Sequence, residues 1–83
     1  MIMYLDDVKR LLIDVLSLSG DQAEMDAGTP LLGSLPELDS MAVVNVIGAL
    51  EEQFGITVED DEISARTFAT LGSLANFVAE KTA

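Results

Sequence analysis

Apolar residues recur along this chain at helical spacing in three stretches. Leu5, Val8, Leu12, Val15 and Leu16 share one face and predict a first helix over residues 4–17, with Asp6 and Asp7 in its first turn and Gly20 as its stop. Val43, Val46, Ile47, Leu50 and Phe54 form a second stripe and predict a helix over 40–54. Met41 and Val44 widen its apolar surface, and Gly55 fits a C-terminal cap. Gly48 is out of place inside such a helix and marks either close helix approach or room for something bound. Leu71, Leu74, Ala75 and Val78, with Phe77 beside them, predict a last helix capped by Thr70 and fraying near Lys81.

The connections carry other signals. Residues 20–39 contain Gly28, Pro30, Gly33 and Pro36, which resist a continuous helix. Leu31, Leu32, Leu35 and Leu38 are apolar enough to tie this long loop onto the core, so it is expected to be ordered. Ile56-Thr57-Val58 reads as extended, and the acids Glu59 to Glu62 open a short helix over about 60–65. The expected fold is all-α: a small bundle of three main helices plus one short helix, with a long ordered loop between the first two. The 83 residues allow one small domain, and no repeat divides them.

Composition narrows the chemistry. There is no Cys and no His, which excludes disulfides, thiol nucleophiles, histidine general bases and the usual zinc sites. A carboxylate magnesium or calcium site stays open, but the acidic run lacks the alternating acids and central Gly of an EF-hand loop. The net charge is −11, and no basic residue lies between Arg10 and Arg66. Nothing in that interval could neutralise phosphates, so no nucleic-acid partner is expected, whereas a positively charged protein surface is a natural complement. No apolar run approaches membrane-spanning length, and the first residues turn acidic at once, so no membrane insertion and a cytoplasmic setting are expected.

One residue stands apart. In Pro36-Glu37-Leu38-Asp39-Ser40-Met41, a serine falls where loop becomes helix. Asp39 or Ser40 could simply cap that helix. Alternatively, Ser40 presents a hydroxyl for chemistry. With no His in the chain, another protein would have to activate it. An anionic group attached there would sit at a helix N-terminus, where free N–H groups and the helix dipole favour negative charge.

Asp39-Ser40-Met41, followed by Val44, Ile47, Ala49-Leu50-Glu51-Glu52 and Phe54-Gly55-Ile56, resembles the acyl carrier protein family, and the likeness runs over nearly the whole chain. The resemblance implies that a phosphopantetheinyl transferase attaches 4'-phosphopantetheine from coenzyme A to Ser40. The arm's thiol would hold acyl groups as thioesters, and Asp39 would help position the magnesium and cofactor during transfer. It also implies a carrier that catalyses nothing itself and meets acyl-loading and acyl-using enzymes through basic docking patches. Met41, Val44, Glu51 and Glu52 are the candidate docking residues. Leu32, Val43, Ile47, Leu50, Ile56, Ile63, Phe68 and Leu74 are the candidate lining of an acyl pocket, or plain core. Ala42 and Asn45 stand where carriers of fatty-acid synthesis usually place acids, and the motif looks more like stand-alone bacterial carriers of specialised pathways, including those accompanying exosortase and exopolysaccharide systems. Two other readings are an aminoacyl or peptidyl carrier, and an unmodified acidic helical interaction module. A monomer is expected.

Overall fold

A computed structural model describes residues 4–32, 35 and 38–82; Gly33, Pro36 and Glu37 of the predicted loop lie outside them. Three α-helices carry the fold: α1 (Leu5–Leu16), α2 (Ser40–Phe54) and α3 (Leu71–Thr82), with 3₁₀ turns at Gly20–Ala23 and Asp60–Glu62. α1 packs on both α2 and α3, while the contact between α2 and α3 is slighter.

α1 buries Val8, Leu11, Leu12 and Leu16. Leu11 was not part of the predicted stripe, and Leu5 and Val15 are only half-buried. A helix gripped from two sides needs a wider apolar face than one that packs against a single neighbour. Its end also differs from expectation. Ser17, not Gly20, closes the helix, in the left-handed conformation at φ 53, and the Leu18 N–H donates to the Ile13 carbonyl at 3.0 Å; Gly20, also at positive φ (58), opens the 3₁₀ turn that follows. This turn folds Leu18 back into the core, where it is buried. The apolar contact beyond the helix end offsets the strain of a left-handed serine. At the start of α1, Tyr4 meets Phe54 edge-on with ring centroids 5.2 Å apart, fastening it to the end of α2.

α2 buries Val46, Ile47 and Leu50 as its spacing predicts, and Gly55 closes it at φ 65 with its N–H on the Glu51 carbonyl. Before α3, Thr70 and Ser73 form a reciprocal capping box: the Ser73 N–H donates to Thr70 Oγ1 at 3.1 Å and the Thr70 N–H to Ser73 Oγ at 3.0 Å.

The long loop is tied to the start of α3. The Leu31 and Leu32 N–H groups donate to the Ala69 and Phe68 carbonyls, both at 3.0 Å. In return, Leu71 and Gly72 donate to Thr29 and Ala27, around an antiparallel bridge between Pro30 and Thr70. This extended pairing sends neighbouring side chains to opposite sides. Leu31 is therefore fully buried, whereas Leu32, expected to pack inward, is 44% exposed. Met25 and Leu38 also enter the core.

The predicted short helix over 60–65 is only a 3₁₀ turn, Asp60–Glu62. The Glu62 carboxylate turns back to accept from the Glu59 N–H at 3.0 Å and takes Lys81 Nζ of α3 at 2.8 Å. Ser64 then starts a separate turn by accepting from the Thr67 N–H, so the chain does not continue as a helix.

Candidate functional site

The loop enters α2 through Leu38 and Asp39. Leu38 is buried, and Val43, four positions into α2, packs against the same apolar cluster. These are the positions of a hydrophobic staple, which sets the angle at which the chain enters a helix. Asp39 is extended, with φ −95 and ψ −174, and its Oδ1 accepts from the Ala42 N–H at 2.8 Å. Its carbonyl takes the Val43 N–H at 2.9 Å.

Asp39 is therefore the cap, and Ser40 is not needed for that task. Ser40 is the first helical residue and is exposed. The N–H groups of Ser40 and Met41 precede the first intrahelical bond and have no partner within the helix. A phosphodiester on Ser40 Oγ fits this end. Its negative charge would lie beside free N–H donors at the positive pole of α2, whose first turn contains no acidic residue.

Around Ser40 the solvent side of α2 is apolar. Met41 is 69% exposed and Val44 63%. Gly48 and Glu52 follow on the same face, both exposed. Gly48 marks no close helix approach, because a Cβ built there meets nothing within 4 Å. Glu51 and Glu52 are neighbours in sequence with different surroundings. Glu52 points into solvent, whereas Glu51 is half-buried and its Oε2 accepts from the Val58 N–H at 2.9 Å. That bond was not foreseen from sequence. Its signal is the glycine at position 55, which reverses the chain and brings Val58 back beside the last turn of α2.

The candidate pocket residues fall into three environments. Ile47, Leu50, Phe68 and Leu74 are buried in one cluster shared by all three helices, and Val43 and Ile63 pack against it. Ile56 is half-buried. Leu32 lies at the surface. The structure thus brings most of them together under α2 and leaves Leu32 outside.

Comparison with known proteins gives the family and the fold. Residues 6–78 match the family model described as a phosphopantetheine attachment site. The acyl carrier protein of Sulfurovum sp. (strain NBC37-1) is 36% identical over 74 residues, covering 88% of this chain and 91% of that relative. That of Petrotoga mobilis is 32% identical over 76 residues, covering 92% and 84%. Among solved structures, a holo acyl carrier protein from Nitrosomonas europaea, determined by solution NMR, superposes with a TM-score of 0.86 at 58% identity and 95% coverage of both chains. The chain belongs to the acyl carrier protein family, the carriers with covalently attached 4'-phosphopantetheine.

Proposed function

We propose that Ser40 is the attachment point of the arm and that this chain carries acyl groups between partner enzymes. The observation that carries the assignment is the division of labour at the start of α2: Asp39 caps the helix, so the exposed Ser40 hydroxyl is left for modification. The bound group supplies a thiol that holds cargo as a thioester. The chain holds no His or Cys of its own, so the base that activates Ser40 comes from a phosphopantetheinyl transferase. Asp39, held in place by its bond to Ala42, is the acid nearest in sequence to help position magnesium during that transfer.

Met41 and Val44 form the apolar contact surface for partners beside the arm, and Glu52 supplies the charge that meets a basic patch. Glu51 contributes to docking less directly, since one of its oxygens is engaged by Val58. The absence of an acid in the first turn of α2 shifts the docking charge towards the far end of that helix. Ile47, Leu50, Phe68 and Leu74 are the apolar surfaces between which an acyl chain would enter, at the slighter contact between α2 and α3. The carrier acts as a monomer in the cytoplasm.

The test is intact mass before and after incubation with coenzyme A, magnesium and a promiscuous phosphopantetheinyl transferase. One added phosphopantetheine on the wild type and none on Ser40→Ala is expected. Modification of the Ser40→Ala variant would move the attachment site elsewhere, and no addition to the folded wild type would refute the assignment.

A further inference from the structure

The chain between α2 and α3 is lightly held. From Ile56 to Thr67 no described residue is fully buried, whereas each α-helix buries three or more. Val58 and Ile63 are half-buried and rest against the cluster that contains Leu50 and Leu74. Among the described residues, side-chain bonds fasten this segment to the helices at three places. At its start the Val58 N–H donates to the Glu51 carboxylate. At its end Ser73 Oγ of α3 donates to the Thr67 carbonyl at 2.9 Å. Between them, Lys81 Nζ in the last turn of α3 reaches both Glu62 oxygens, at 2.8 and 3.0 Å. Within the segment the Thr67 hydroxyl donates to the Glu62 carbonyl at 3.1 Å, so Glu62 carries the following turn with it.

We propose that Lys81 and Glu62 form a latch on this segment. Closed, the pair holds Ile63 against the core. Released, it lets residues 56–67 move away from α3 and make room for an acyl chain. Energetics favour this segment as the part that gives. Moving a helix exposes several buried apolar side chains to water, whereas moving the segment exposes none that is fully buried. The pair also has the strength a latch needs. Its side chains are 25% and 31% exposed, and ion pairs that open to solvent contribute little stability, so this one breaks readily. Its two-oxygen geometry still defines one closed position.

The ends of the segment set the limits of the motion. Gly55, at φ 65, stands where it leaves α2. Beyond Thr67 the Phe68 and Ala69 carbonyls are held by the Leu32 and Leu31 N–H groups, so the chain is anchored there. The inference rests on the reading of the core as the acyl site, and adds the pair of residues that controls access to it.

The experiment uses the full chain in two states. On the unmodified protein, amide hydrogen exchange is followed by NMR. The Val58 and Glu62 amides should exchange ahead of the Leu12 amide, and Lys81→Met should speed them by up to about five-fold. Glu62→Gln, which keeps an oxygen for the Glu59 N–H, should do the same. Arg10→Gln removes a positive charge from the exposed side of α1 and should not. The chain is then loaded from octanoyl-coenzyme A by a promiscuous phosphopantetheinyl transferase, and the thioester is cleaved with hydroxylamine. An inserted chain shields its thioester, so cleavage should be slower than for free octanoyl-pantetheine. Entry breaks the pair, so Lys81→Met removes that cost and should slow cleavage further, by up to about five-fold. A pair that only stiffens the fold predicts the opposite sign. Shielding that Lys81→Met leaves unchanged or reduces would overturn the latch alone, as would Val58 and Glu62 amides that open only together with Leu12. No loading, or no shielding in the wild type, would overturn the acyl-site reading and the latch with it.

Discussion

The Glu51 carboxylate accepts a hydrogen bond from the Val58 N–H at 2.9 Å, joining the last turn of α2 to the segment that leads away from it. This bond separates two glutamates that look equivalent in sequence. Glu51→Ala should destabilise the fold by about 1–2 kcal/mol, because it leaves a half-buried N–H without its acceptor. Glu51→Gln keeps an acceptor oxygen and should recover much of the loss, while Glu52→Gln should leave stability nearly unchanged. Urea unfolding, with hydrogen exchange read at the Val58 amide, distinguishes these outcomes.

Capping and attachment separate at neighbouring residues. Asp39→Ala should cost about 1 kcal/mol through loss of the Ala42 contact, and Asp39→Asn should restore most of it. Ser40→Ala should change stability by less than about 0.5 kcal/mol, since an exposed hydroxyl outside the cap is lost. Thermal unfolding of the three variants measures this. A large loss in Ser40→Ala would show that the serine is structural after all.

Two glycines of the same region should respond in opposite directions. Gly48 sits on the open face of α2, where an added methyl meets nothing within 4 Å. Gly48→Ala should therefore stabilise the protein by roughly 0.5–1 kcal/mol, the backbone entropy that glycine costs within a helix. Gly55 holds φ +65 at the end of α2. Gly55→Ala should destabilise by about 1 kcal/mol because a side chain disfavours that conformation. Denaturant midpoints of the two variants should move apart from the wild type.

Glu62 links stability to acid. The Glu59 N–H bond, then the Lys81 hydrogen bond, holds its carboxyl below the ordinary glutamate value. A carboxyl depressed in the folded state contributes stability that is present above its unfolded pKa and is lost as pH falls through the folded one. The loss should begin below roughly pH 4.3. Glu62→Gln should flatten that part of the stability curve, and Lys81→Met should reduce its slope. Stability measured by urea unfolding at stepped acidic pH reads both.

The capped ends show how far local pattern reaches. Gly55 was legible because only a residue tolerant of positive φ ends a helix in that way, and Thr70 because a hydroxyl before an apolar run is a cap. Ser17 was not legible. Its left-handed turn exists to bury Leu18, a contact made only once the other helices are in place. Leu31 and Leu32 are equally apolar in sequence, and only the backbone pairing with Phe68 and Ala69 decides that one faces the core and the other solvent.

Periodicity and the Asp39-Ser40-Met41 motif by themselves determined three helices, the start of α2 and the family likeness, because helical spacing and capping depend on residues a few positions apart. The folded structure decided that Asp39 rather than Ser40 makes the cap, that Glu51 is bonded while Glu52 is free to solvent, and that Asp14 shares a cleft with Glu52. The first two turn on the direction a side chain takes within a few residues of its partner, which residue types alone do not specify, and the last on residues far apart in sequence meeting across packed helices.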